Sequence, residues 1–365
     1  MGFSPLNFDA NALISMIGGI SVLDIPHISI QSKEAGKAFL LAYGYDIDSD
    51  DDLRCLWLYH RRAVTYLQEE LLKEGEVIPV KLSDPSELGD ITNILIIAST
   101  RGNELQRWAC AILKVAHTFV HLENDLFAQF SNDIQEQILK PIQHHIHEDP
   151  VIGTTLGPAM GAKSILLKKF EIKAFKTTTS SITKLLCKSD LVAFGLLDKI
   201  GIRIVTKHLF DVFRVLKYFL EQNIVNFSHD ISKESNNTLY PLNIFLECLE
   251  TLSSDGDYSS ENIDKMLHKR LEENISRAIY NEKYNVFSNH EYKFIKFITR
   301  RLIRIDIKSK EERPQKLTFF YPYEVQIVDY ETHLKNMTGQ ASHDKYKERQ
   351  VRRARARLLG VTEFN

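Results

Sequence analysis

Two long segments near the end of the chain constrain the fold most. Residues 292–307 read "YKFIKFITRRLIRIDI" and residues 315–329 read "QKLTFFYPYEVQIVD". Both are rich in β-branched and aromatic residues, both alternate polar with apolar, and only the polar "KSKEERP" separates them. Such a pair predicts two long neighbouring strands. In the second, Glu324 and Gln326 stand two residues apart and so face the same way. A plain edge strand needs neither a carboxylate nor an amide there. The strand then leads into a turn-helix pattern carrying His333 and His343, ten residues apart.

The rest of the chain sorts into a helical front and a mixed rear. From about residue 32 to 147, "EAGKAFLLAYGY", "DLRCLWLYHRRAVTYLQEELLKEG" and "NELQRWACAILKVAHTFVHLENDLFAQF" repeat apolar residues at helical spacing. "LSDPSELGD" reads as a loop between two of these helices, and residues 1–30 carry weak signals. "EDPVIGTTLGPAMGAKS" (148–164), dense in glycine and proline, reads as a hinge. After it the period changes. "LLKKFEIKAFK" alternates like a strand, "TTSSITKLL" reads as a short capped helix, and "GIRIVT" (201–206) is a β-branched strand. "HLFDVFRVLKYFLEQN" is an amphipathic helix returning across the sheet. The fold class expected is α+β. A helical N-terminal domain (1–150) precedes a mixed β-sheet flanked by helices (151–365). An insertion at about 228–290 holds two helices, and the end is helical.

With 365 residues, two domains fit. The apolar fraction of 44% and charged fraction of 26% are those of an ordinary globular chain, and a net charge of −2 selects no partner class. No apolar run reaches membrane-spanning length and no export signal precedes the helices, so the expected location is cytoplasmic, with no membrane partner. Cys55, Cys110, Cys187 and Cys248 form no CxxC pair and read as buried, reduced thiols. Charge is unevenly spread. Asp48, Asp50, Asp51 and Asp52 cluster near the start, while "KYKERQVRRARARLLG" sets seven basic residues against one acid between Lys345 and Arg357. On a helix Arg349, Arg352, Arg353 and Arg357 make a stripe, read either as a solvated or homo-oligomer-forming face or as a contact to RNA or nucleotide phosphates.

Four constellations could carry chemistry. Lys176, Ser180 and Lys184 recur at four-residue spacing, so one helix face carries two ammonium groups and a hydroxyl. That suits a polyphosphate, and equally a solvated basic face with a Ser/Thr cap. Asp198 stands at the entrance to a core strand, with Arg203 five residues on. A carboxylate there is hydrated, paired with a lysine, or bound to a cation such as Mg²⁺. If Glu324's strand neighbours the one after Asp198, the two carboxylates can share one metal, because a cation relieves their repulsion. Tyr292, beside Lys293 and Lys296, can stack a base or serve as an ordinary strand aromatic. His117 and His121, at i and i+4, read as histidines of an amphipathic helix, and "QHHIHED" as a His cluster at a helix end.

Taken together, residues 165–347 resemble the RelA/SpoT-type alarmone synthetase domain. The family's "KxxxSIxxK" stretch is met by Lys176, Ser180 and Lys184. Its "D-x-x-[AG]-[IV]-R" magnesium strand is met by Asp198, Gly201, Ile202 and Arg203. Its "EVQIRTxxMHxxAExGxAxHxxYK" ending is met by Glu324, Val325, Gln326, Ile327, His333, Gly339, Ala341, His343, Tyr346 and Lys347. The family's guanine-stacking tyrosine falls on Tyr292. The resemblance implies a nucleotidyltransferase-like sheet and transfer of the β,γ-pyrophosphate of ATP to the 3′-hydroxyl of a guanine nucleotide, that is, (p)ppGpp synthesis. It implies Mg²⁺ on Asp198 and Glu324, also the catalytic pair. ATP phosphates would lie on Lys176, Ser180, Lys184 and Arg203, and the acceptor on Tyr292, Lys296 and Gln326.

The departures from the pattern concern base recognition. Ala174 stands where the family has an adenine-stacking arginine, with Lys173 next to it. Glu291 precedes the tyrosine in place of glycine, Lys296 replaces a histidine, and Val328 replaces the arginine after the ExQI motif. The family's companion hydrolase needs an adjacent His-Asp pair, and none occurs before residue 150. Two further readings therefore stand beside guanine-nucleotide transfer: pyrophosphorylation of the tRNA 3′-CCA end, as in toxin-like relatives, and a catalytically silent nucleotide-sensing module.

Overall fold

The structure is a computed structural model. It describes all residues except 1–9, 125, 159–160, 162, 174–177, 189–194, 253–258, 284–286, 288–290, 308–314, 339–341 and 361–365. Helices are α1 (Ala10–Met16), α2 (Lys33–Tyr43), α3 (Asp50–Tyr66), α4 (Val80–Ser83), α5 (Pro85–Leu88), α6 (Thr92–Ser99), α7 (Gln106–Glu123), α8 (Ser131–Gln143), α9 (Thr178–Cys187), α10 (Leu209–Glu221), α11 (Leu242–Glu250), α12 (Ser260–Glu273), α13 (Tyr330–Asn336) and α14 (His343–Leu359). Strands are β1 (Ile146–Asp149), β2 (Gly153–Leu156), β3 (Ile165–Lys173), β4 (Gly201–Thr206), β5 (Asn236–Asn237), β6 (Ile295–Ile307) and β7 (Gln315–Asp329). No described helix is long and apolar enough to cross a membrane.

The chain divides into two compact units that are not consecutive in sequence. One is helical and takes residues 1–125, 177–196 and 347–365. The other holds the sheet and takes 126–176 and 197–346.

In the helical unit the acidic cluster has a local explanation. Asp50, Asp51 and Asp52 form the first turn of α3, where carboxylates offset the positive helix end. The expected loop "LSDPSELGD" is instead two single helical turns. Pro85 sits at the start of α5, where its missing N–H costs nothing, and Asp84 accepts from Ser86 N at 2.8 Å. α9 joins this unit by burying Ile182, Leu185 and Leu186 and by a 2.7 Å bond between the Tyr66 hydroxyl and Thr183 Oγ1.

The sheet unit is a mixed seven-stranded sheet in the order β1-β2-β3-β4-β7-β6-β5. The two long segments pair antiparallel as β6 and β7, from Ile295↔Ile327 to Ile307↔Gln315. β4 runs parallel to β7, and β3 is antiparallel to β4. One face is apolar: Ile202, Ile204, Val325 and Ile327 are fully buried beneath α8 and α10, which contribute Ile134, Ile138, Val212 and Phe219. Burying the sheet's apolar face against two helices is what holds this unit together.

The 148–164 stretch is not a hinge between the units. It holds the end of β1 and all of β2, with Gly153 and Gly157 supplying left-handed turns at φ 93° and 92°. The boundary expected at residue 150 thus falls inside the sheet unit, because α8 already packs on the sheet. The 228–290 insertion supplies α11 and α12 as an outer layer. Phe213 and Phe245 stack with ring centroids 3.6 Å apart, and Asp264 of α12 accepts from Leu209 N and Phe210 N, capping α10 from outside its own segment. β7 ends where Asp329 accepts from Thr332 N at 3.0 Å and starts α13.

Candidate functional site

The second face of the sheet explains the over-equipped strand. Strand alternation and register put Glu171 and Lys173 of β3, Gly201 and Arg203 of β4, Glu324 and Gln326 of β7, and Lys296 of β6 in adjacent rows on that face. Gly201 pairs with Glu324, Arg203 with Gln326, Glu171 with Arg203 and Lys173 with Gly201. The expected adjacency of the Asp198 and Glu324 strands is therefore present. Asp198 lies in the turn just before β4, and Glu324 N donates to Ile200 O at 2.9 Å.

The side chains form one charged network. Lys173 Nζ is 3.5 Å from Glu324 Oε1 and 3.4 Å from Gln326 Oε1, and Lys296 Nζ is 3.6 Å from Glu324 Oε2. Arg203 Nε donates to Gln326 Oε1 at 3.1 Å and its Nη1 lies 3.6 Å from Glu171. Burial pushes the Lys173 amine below its usual pKa. Glu324 and, to a lesser degree, Asp198 act the other way, so both carboxylates act on this one cation. Burial also opposes ionisation of Glu171, yet the hydrogen bond from Lys169 and the charge of Arg203 bring its pKa below the ordinary value.

The Tyr292 hydroxyl accepts from Arg203 Nη2 at 3.3 Å and from Gln326 Nε2 at 3.2 Å. Its backbone neighbour is clamped: Asn336 of α13 accepts from Lys293 N at 3.0 Å and donates to Lys293 O at 2.7 Å. α13 thus positions Tyr292. His333 of α13 is buried, and burial, followed by the charges of Arg203 and Lys169, holds its pKa down.

Gly201 is the open square of this lattice. A Cβ there meets the Glu324 Cβ at 3.4 Å and Lys173 Cδ at 3.7 Å. Alanine fits, whereas a branched side chain fills the space through which Lys173 reaches Glu324. Gly201→Val is expected to lower the transfer activity proposed below by about 10- to 100-fold through misplacement of this pair. Gly201→Ala is expected to stay within about threefold. Steady-state kinetics on the two variants checks this.

The structure brings together Arg203, Glu324, Gln326, Tyr292 and Lys296. Ser180 and Lys184 are half-buried on α9 and belong to the helical unit. Lys176, Ala174, Gly339 and Ala341 lie outside the described residues, and His343 begins α14. The sequence expectations give Lys173 no role beyond its place next to Ala174 and do not include Glu171 or Asn336. The alternation in "KKFEIK" (168–173) carried the signal for Glu171 and Lys173, since it sets Lys169, Glu171 and Lys173 on one face.

The His117 and His121 rings lie 4.3 Å apart between centroids, tilted by 56°, and His117 Nδ1 bonds the Tyr43 hydroxyl at 2.7 Å; burial lowers the His117 pKa to about 4. His145 Nδ1 bonds the Tyr218 hydroxyl at 2.8 Å. Cys110, Cys187 and Cys248 are free and buried, but Cys55 is exposed on α3. The arginine stripe is broken. Arg357 turns inward to pair with Asp24 and donates to the carbonyls of Leu185, Leu186 and Lys188, closing the end of α9. Arg355, outside the stripe, is buried against Glu76.

The charges of Glu324 and Asp198 both act on the Lys173 ammonium, and carboxylates are the donor type that Mg²⁺ takes. Mg²⁺ takes one or two carboxylates and fills its remaining positions with water and phosphate oxygens, so no larger protein cage is required.

No protein-family model matches the chain, and no curated protein matches it. Among solved structures, it is similar to a GTP pyrophosphokinase family protein from Streptococcus pneumoniae at 12% identity. That match covers 66% of this chain and 84% of the other, with a TM-score of 0.24.

Proposed function

We propose that the chain is an ATP-dependent pyrophosphokinase that transfers the β,γ-pyrophosphate of ATP to the 3′-hydroxyl of a guanine nucleotide. The observation that carries this reading is the parallel β4–β7 pairing with Gly201 opposite Glu324. It sets the turn bearing Asp198 beside a glutamate ringed by Lys173, Lys296 and, through Gln326, Arg203 and Tyr292.

In the reaction the 3′-oxygen of the acceptor attacks Pβ, the bond from Pβ to the α,β-bridging oxygen breaks, and AMP leaves. Such transfer needs positioning and charge neutralisation more than covalent help from the protein. Asp198 and Glu324 would hold Mg²⁺, which when bound neutralises phosphate oxygens. Lys173 and Arg203 present two further cations on the same face. Lys176, Ser180 and Lys184 keep the phosphate-binding role that their motif implies. Glu324 accepts the hydroxyl proton. Tyr292, held by Arg203 and Gln326, offers its ring to the acceptor base, with Lys296 beside it.

The test is incubation with ATP labelled in the γ-phosphate and, separately, GDP, GTP or tRNA. Label on a guanine nucleotide is the expected result. Label on tRNA alone reassigns the acceptor to the CCA end. Absence of label on every acceptor, from folded protein, contradicts the enzyme reading in favour of a nucleotide-sensing module.

A further inference from the structure

The helical unit contains a cavity of about 310 Å³, lined mainly by apolar side chains such as Leu23, Leu40, Ile94, Leu95 and Val120. Protein interiors hold few voids larger than a water molecule, because every unfilled surface forfeits dispersion contacts. This one opens partly to solvent and has the volume of about ten waters. It is a ligand-sized space, at the lower end of the range for small-molecule pockets.

One charged side chain lines it. Lys114, half-buried on α7, is part of the wall, and among the described residues its ammonium has no hydrogen bond or ion pair. Its charged neighbours are Asp24 and Arg357, and Asp24 is already engaged by the Arg357 guanidinium. Lys114, Arg357 and Asp24 together leave one positive charge unmatched. Burial lowers the Lys114 pKa, as it does for an ammonium short of acceptors. Among the other polar groups of the wall, His60 Nδ1 is buried without a hydrogen-bond partner. The Tyr43 hydroxyl and His117 Nδ1 bond each other, and His60 Nε2 donates to Leu82 O at 2.8 Å.

An apolar cavity with a single unmatched ammonium selects an amphiphile with one negative charge. We infer that the helical unit binds a medium-chain carboxylate of roughly eight to ten carbons, its tail in the cavity and its carboxylate on Lys114. A neutral alcohol of equal length offers a hydroxyl acceptor but no charge to match the ammonium, and a quaternary ammonium of equal length is repelled. The polyphosphates discussed above need several donors and are not accommodated by one lysine. This inference does not rest on the proposed pyrophosphokinase activity.

Equilibrium dialysis of the full chain against radiolabelled decanoate, with unlabelled decanol or decyltrimethylammonium as competitor, tests it. Saturable decanoate binding is expected, with decanol at least about tenfold weaker and the cation without effect. Lys114→Met keeps the stem and removes the charge, so decanoate is expected to fall about tenfold, to the level of decanol. Ala116→Phe, on the cavity wall, is expected to abolish binding of both. The inference is overturned if decanoate binds no better than decanol, if Lys114→Met binds decanoate unchanged, or if folded wild-type protein retains no decanoate. Should Ala116→Phe fail to fold, the Lys114→Met comparison still decides.

Discussion

Glu324→Gln and Asp198→Asn each lower transfer of labelled pyrophosphate by about 10²–10³-fold, the scale for losing one pre-arranged electrostatic contact in a closed site. Both changes conserve shape, so what is removed is charge. In Glu324→Gln, Lys173 and Lys296 lose the acidic partner they share, and a stability loss of about 1–2 kcal/mol is expected beside the kinetic one. The Asp198 variant keeps both of those ion pairs, so an equal fall in its activity does not come from losing them. Urea unfolding run beside initial-rate measurements reads stability and activity. Full activity in either variant would show that the carboxylate pair is not the metal site.

Arg355→Met is expected to destabilise the helical unit by about 2 kcal/mol. The guanidinium is nearly buried, donates to Leu71 O at 2.7 Å and to Glu76 Oε2 at 2.6 Å, and grips Glu76 with its second nitrogen as well. Truncation leaves the Leu71 carbonyl without this donor and the Glu76 carboxylate with the Lys73 N–H alone, which costs more than the pair itself contributes. Glu76 remains about a third exposed, which keeps the figure at the low end. The pH dependence follows. The hydrogen bond from Arg355, with a backbone N–H from Lys73, lowers the Glu76 pKa from 4.5 to about 2. A depressed folded-state pKa contributes stability that is present above about pH 4.5 and lost as pH falls toward 2. Wild-type protein should therefore lose stability across that window, and Arg355→Met should lose correspondingly less. Urea midpoints measured from pH 6 to pH 2.5 check it, and parallel curves for the two proteins would contradict it.

Periodicity carried most of the fold. "GIRIVT" is β4 to the residue, and the two long alternating segments are the antiparallel β6 and β7. Each of these signals is local, since a strand's alternation records which face is buried. What escaped was set by pairing at long range. "EDPVIGTTLGPAMGAKS" has the composition of a hinge, yet glycines at positive φ serve turns inside a sheet equally well. The helical pattern at 131–143 says only that one face is apolar, not that the face lies on Ile202 and Ile327. Of the candidate site, the residues on β4 and β7 could be read from their own strands. Lys173 could not be tied to Glu324 before the β3–β4–β7 register was known, nor Asn336 to the segment ahead of β6. Charge alone misled at the tail. Arg355 and Arg357 look like solvated cations in sequence, but they hold Glu76, Asp24 and the end of α9.

The most direct measurement is a crystal structure with Mg²⁺ and a non-hydrolysable ATP analogue. The reading predicts one magnesium at about 2.1 Å from a carboxylate oxygen of Asp198 and of Glu324, with the Lys173 ammonium moved from Glu324 onto the phosphate oxygens. A nucleotide and metal held elsewhere, with Lys173 still bridging Glu324 and Gln326, would contradict it.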